Sequence, residues 1–86
     1  MKISNIKVRA ASDEKGLVGF ASCVLDDVLY IGNIAIFSRL NKPGEYRIVF
    51  PVKDCQNGKR IEIFYPLTRE FYFELEKAIV QEFIKI

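Results

Sequence analysis

Ile6, Val8 and Ala10 alternate with Lys7 and Arg9 near the start of the chain, and a period of two with one charged side predicts a strand that has one buried and one wet face. Ser12-Asp13-Glu14-Lys15-Gly16 follows, polar and closing on glycine, which is the chemistry of a connecting turn. From Leu17 to Leu25 and from Val28 to Phe37 the apolar residues fill both parities and are rich in β-branched and aromatic side chains, so both segments read as strands covered on two sides. Asp26-Asp27 between them reads as a tight hairpin, and Gly19 and Gly32 as bulges or close backbone approaches within the strands.

Asn41-Lys42-Pro43-Gly44 predicts a turn, with proline fixing the first central φ and glycine taking the positive φ that a type II turn requires. Tyr46, Ile48, Phe50 and Val52 then alternate with Arg47 and Val49 as a fourth strand, which Pro51 breaks or places at an edge. The polar stretch Lys53 to Lys59 contains Asn57-Gly58 and leads into a fifth strand, Arg60 to Tyr65, closed by Pro66. Thr68 is placed to cap a helix in which Phe71, Leu75, Ala78, Ile79 and Phe83 recur at helical spacing, with Glu74, Lys77, Gln81 and Lys85 opposite. Phe73, Val80 and Ile84 make a second apolar stripe, wider than one sheet contact needs, and predict a dimer or partner interface. The fold class that follows is α+β: an antiparallel sheet of about five strands with one C-terminal amphipathic helix, residues 1–86 forming one domain.

Composition changes this picture in two ways. Half of the 86 residues are apolar, enough for a core, but a chain this short buries a small share of its surface, and a leftover apolar face favours a homodimer. The chain has no histidine, which removes the commonest general base and metal ligand; with Cys23 and Cys55 far apart, no metal site, cofactor or catalytic residue is expected. No glycine-rich nucleotide loop occurs. Asp26 and Asp27 read as turn residues rather than paired catalytic carboxylates, because neighbours in a strand point to opposite faces. Cys23 reads as a buried small hydrophobe, not half of a structural disulfide. With no secretory leader pattern and no run of about 20 apolar residues, a cytoplasmic protein without membrane contact is expected.

The net charge of +2 is too small to indicate a nucleic-acid partner, but its distribution is uneven. Arg39, Lys42, Arg47, Lys53, Lys59 and Arg60 face only Glu45 and Asp54 in the same stretch. Lysines and arginines on turns can reach phosphates, so Lys53, Lys59 and Arg60 are the first candidates for nucleic-acid contact, with Arg47, Lys7 and Arg9 next. A solvated surface on a small sheet protein would carry similar charges. Tyr30, Tyr46, Phe64 and Tyr65 are candidates for base stacking or, equally, for core and cross-strand pairs.

The order of these segments resembles the SpoVG family, the stage V sporulation or septation regulators of bacteria. Met1 to Arg9 resembles the family's opening strand, Ala21-Ser22-Cys23-Val24-Leu25-Asp26 its "AS-apolar-x-LD" segment, and Asn33-Ile34-Ala35-Ile36 its central strand. Pro51-Val52-Lys53, Gly58, Ile63, Tyr65-Pro66-Leu67 and Leu75, Ala78, Ile79, Glu82 and Phe83 continue the likeness over nearly the whole chain. The resemblance implies a cytoplasmic, homodimeric regulator that binds DNA, or RNA in some members, without enzymatic activity. Lys7, Arg9 and Lys53 keep basic positions of the family pattern. Tyr72 and Glu74 stand where it carries an arginine and a lysine, Ala10 where a second basic residue is common, and Tyr65 where it has a histidine.

Overall fold

The structure is a computed structural model that describes residues 1–39, 42 and 44–86. Four strands, β1 (Ile3–Glu14), β2 (Leu17–Leu25), β3 (Leu29–Ser38) and β4 (Tyr46–Val49), form one antiparallel sheet in chain order. β5 (Val52–Asp54) and β6 (Arg60–Glu62) form a separate two-stranded sheet, and a helix, α1 (Arg69–Phe83), follows.

The expected α+β architecture is present, but its strands divide as four plus two. Phe50-Pro51 interrupts the alternating run, since proline has no N–H for the ladder, and Val52 leaves the first sheet to pair with Glu62. Lys53 and Asp54, expected in a connection, are strand residues, while Ile63 to Tyr65, expected in a strand, lie beyond β6. The first strand runs on to Glu14, so the connection is only Lys15-Gly16, both with positive φ (56° and 89°) as a two-residue hairpin loop demands. Asp26 and Asp27 adopt the same left-handed backbone (φ 51° and 59°). They also tie down the amino terminus: the Lys2 N–H donates to Asp26 Oδ1 at 2.7 Å, and Lys2 Nζ lies 3.0 Å from Asp27 Oδ2. Of the expected Asn41-Lys42-Pro43-Gly44 turn, Asn41 and Pro43 lie outside the described residues; Gly44 has the positive φ, 86°.

Two asparagines correct the strand periodicity. Asn5 (φ 50°) and Asn33 (φ 56°) sit where β1 and β3 each slip by one residue against β2, and asparagine tolerates the left-handed region better than most residues. The slips put Ile3 with Ile6, and Ile31 with Ile34, on the same side of the sheet three positions apart, where strict alternation would send one of each pair to the other face. That side is the core: Ala21, Cys23, Leu25, Ile31, Ile34, Ile36 and Ile48 are buried there against Leu75 and Ile79 of α1. Burial raises the pKa of the Cys23 thiol, which keeps it protonated and unreactive.

α1 packs across β1 and β4. Thr68 caps it, its Oγ1 accepting from the Phe71 N–H at 3.2 Å. Gly19 lets the last turn approach: a Cβ there would stand 2.6 Å from Phe83 and 2.7 Å from the Arg9 carbonyl. Phe83 stacks edge-on against Tyr46, with ring centres 5.3 Å apart. At the other end the Tyr72 hydroxyl donates to the Ile48 carbonyl of edge strand β4 at 2.8 Å. Burial, then the Glu76 carboxylate, raise the Tyr72 pKa, with Arg39 and Arg47 opposing. Tyr72→Phe is expected to cost about 1 kcal/mol, the usual worth of one such bond. Because the folded state holds this proton more tightly than the unfolded chain, the contribution of Tyr72 to stability is complete below about pH 10 and is lost as the pH rises above it. A phenylalanine variant with an unchanged alkaline limb in urea titrations would refute that assignment.

Candidate functional site

The alternation that buries one face of the four-stranded sheet turns Lys7 and Arg9 of β1 and Arg47 of β4 to the other. Lys7 pairs with Ser22, Arg9 with Phe20 and Arg47 with Phe37. Among strand residues of this sheet whose side chains are described, these three carry the only charges, and none has an acidic partner within ion-pair distance among the described residues. The Arg9 guanidinium lies 5.0 Å from the centre of the Phe20 ring, and that of Arg47 lies 5.1 Å from the centre of Phe37. A cation over an aromatic face gains about 0.5–1 kcal/mol at an exposed site. β1 and β4 are opposite edges, three strand spacings or about 14 Å apart, so the cations border the face and leave its middle to uncharged side chains.

Tyr30, also on this face, is 69% exposed. Its ring lies along β3 over Gly32: a Cβ on Gly32 would stand 2.7 Å from the Tyr30 hydroxyl and 3.0 Å from two ring carbons. Beside it is a shallow depression of about 260 Å³ bordered by Lys7, Arg9, Phe20, Ser22, Tyr30 and Asn33. The two central strands were expected to be covered on both sides. The chain supplies one covering layer, α1, and on the other side Phe20, Val24, Ala35 and Phe37 are half-buried, the two phenylalanines beneath the arginines.

The three cations ranked first in sequence are arranged differently. Lys53 pairs with Ile61 and Asp54 with Arg60 across the β5–β6 hairpin, so Lys53 and Arg60 point to opposite faces of it. Arg60 Nε lies 3.1 Å from Asp54 Oδ1, both side chains being 74% exposed, an ion pair of little energetic weight. Lys59 is in the turn, which Gly58 (φ 81°) and a bond from the Lys59 N–H to Asn57 Oδ1 at 3.2 Å shape. Sequence proximity thus groups cations that strand geometry separates, while Lys7, Arg9 and Arg47 are brought to one face by pairing.

The second helix stripe is only partly covered. Phe73 (53%) and Ile84 (61%) are exposed and Val80 is half-buried. Phe73 and Val80 border one depression with Arg39, Tyr46 and Lys77. Val52, Ile61, Ile63, Tyr65 and Leu67 add exposed apolar surface on and after the hairpin. Of the candidate stacking aromatics, Tyr46 packs on Phe83 and Phe64 on Phe50, whereas Tyr30 and Tyr65 are exposed. Phe20 and Phe37 were not singled out in sequence; the signal available was their two-residue offset from Ser22 and Ala35 on the polar-facing parity. Tyr72 is committed to the scaffold through its bond to Ile48.

No group of three or more potential metal ligands and no helix long and apolar enough to cross a membrane occurs among the described residues. The sequence matches the SpoVG family profile over residues 1–85. It is 27% identical over 85 residues, 99% of this chain and 88% of the relative, to a protein of Treponema denticola that bears the name of a septation protein, SpoVG.

Proposed function

The chain belongs to the SpoVG family, and from that premise we infer that it is a non-enzymatic bacterial regulator, acting as a cytoplasmic homodimer that binds DNA or RNA chiefly through the phosphates, in the sphere of septation or sporulation. The observation that carries the nucleic-acid reading is the uncovered sheet face, where Lys7, Arg9 and Arg47 meet no carboxylate among the described side chains. Cations spaced over about 14 Å suit a polyanion better than a single small anion, and each phosphate neutralised releases a counterion. Lys53 and Lys59 of the β5–β6 hairpin are further candidates for phosphate contact. The role of each is electrostatic positioning, which carries little base specificity.

The reading is tested by titrating short labelled nucleic acids over a salt series. Affinity is expected to fall steeply with salt, and the Lys7→Ala, Arg9→Ala, Arg47→Ala variant to lower the log–log slope by about 2–3, one increment per lost phosphate contact. The Lys53→Ala, Lys59→Ala, Arg60→Ala variant should lose less, because Arg60 already shares its charge with Asp54. If both triple variants bind as the parent does, the phosphate reading is wrong. The exposed Phe73, Ile84 and hairpin residues favour a second reading, a protein-interaction module on the same scaffold; a Phe73→Glu, Ile84→Glu variant would then lose partner capture with nucleic-acid affinity unchanged.

A further inference from the structure

Charge alone does not distinguish a duplex from a single strand, but ring faces do, because the flat side of a base is open to contact only when the base is unpaired at the surface. The open sheet face presents three such platforms. Tyr30 lies flat where Gly32 leaves room and is 69% exposed. Phe20 and Phe37 are each topped by a guanidinium, and an arginine plane held over a ring is itself a stacking surface.

The spacing of Phe20 and Phe37 suits neighbouring nucleotides, and Tyr30 stands further along the face. Phe20 pairs across to Ala35, two residues from Phe37, so those two platforms are about 8 Å apart along the diagonal. Tyr30 lies on the same strand at the far end of the face, and the whole row spans roughly 20 Å at about 3.3 Å per residue. Between Tyr30 and Arg9 the depression of about 260 Å³ offers Ser22 and Asn33 as hydrogen-bonding groups at its border. It is smaller than a drug-sized site, which runs from about 300 Å³ upward, and suits a group of the size of one base. The cations at the edges are placed for the phosphates that flank such bases.

We propose that this face of the four-stranded sheet is a platform for single-stranded nucleic acid, with bases stacked on Tyr30 and on the arginine-capped rings of Phe20 and Phe37. The proposal rests on the nucleic-acid reading above and names its substrate class. A second copy of the chain is the other occupant such a face invites. Two-fold pairing here would bring Lys7, Arg9 and Arg47 toward their own counterparts with no acidic strand residue among the described side chains to relieve them. The arginines also already shade the phenylalanines, reducing the apolar area that pairing would bury.

The test measures fluorescence anisotropy of the full chain with a labelled pyrimidine-rich oligonucleotide of about 12 nucleotides, and with the same sequence as a duplex. The single strand is expected to bind about tenfold tighter. Tyr30→Ala should weaken it about fivefold or more, the lower range for loss of one base stack, and leave the duplex nearly unchanged. Gly32→Ala, which alters no charge, should act in the same direction because its Cβ displaces the Tyr30 ring. Thermal melts show whether each variant is folded, and Arg9→Lys, which keeps the charge but loses the plane, serves as the substitute probe if Gly32→Ala is not. A duplex bound as tightly as the single strand, or full affinity in Tyr30→Ala, overturns the platform and leaves the phosphate reading standing. Absence of binding to either probe at low salt removes both, and a change of oligomeric state in Tyr30→Ala assigns the face to a second copy instead.

Discussion

Leu75→Ala is expected to lower the stability of the chain by about 2–5 kcal/mol, the range for removing a fully buried leucine side chain. A domain of this size holds only about 4–13 kcal/mol, at the usual stability per residue. The loss is large because the covering layer is thin: α1 contributes only Leu75 and Ile79 to the fully buried set, both with no exposed surface, and they close over Ile34, Ile36 and Ile48. Little else can collapse into the gap, since Tyr72 is held by its bond to Ile48 and Phe83 by its contacts at Gly19 and Tyr46. The melting temperature should drop by at least about 8 °C, at roughly 4–8 °C per kcal/mol for a chain of this length. Glu74→Ala, one residue away on the exposed side, should stay within about 0.5 kcal/mol of the parent. Equal melting temperatures for the two variants would mean that α1 does not close the core in this register.

The contrast between Leu75 and Glu74 was legible in the sequence because a helix is a local structure. Its period, its Thr68 cap and the acidic Glu70 in its first turn all lie within one segment. The Asp26-Asp27 hairpin was legible for the same reason. What periodicity could not show were the slips at Asn5 and Asn33, since an inserted residue changes the parity of everything beyond it without changing composition. Reading Leu17–Leu25 and Val28–Phe37 as apolar on both parities concealed that one of those parities holds Phe20 and Phe37 beneath arginines supplied by other strands. The cations followed the same rule. Lys53, Lys59 and Arg60 look like a cluster because they are near in sequence, whereas Lys7 and Arg47 share a face only through three strand pairings.

The variant Phe73→Glu, Ile84→Glu is expected to convert the proposed homodimer into monomers while the fold survives. Both side chains are more than half exposed in the chain alone, so replacing them removes little from the core, and the melt of the monomer should change by only a few tenths of a kcal/mol. In an interface the same changes are severe. Truncating a central aromatic anchor costs about 2 kcal/mol or more, and a carboxylate buried there without a partner adds several more. A two-fold interface repeats each change, so four carboxylates would enter one apolar contact, and dissociation constants should rise by at least about a thousandfold, equivalent to roughly 4 kcal/mol. Val80, half-buried between the two sites, places them on one stripe, which is why the pair is changed together. Light scattering coupled to size exclusion reads the mass directly. If the double variant remains a dimer, the helix stripe is not the contact, and the exposed Ile61, Ile63 and Leu67 beyond β5 become the surface to change next. Because the stacking face lies on the opposite side of the sheet from α1, a monomer produced in this way should still bind a short single strand, losing only the gain that comes from two linked sites.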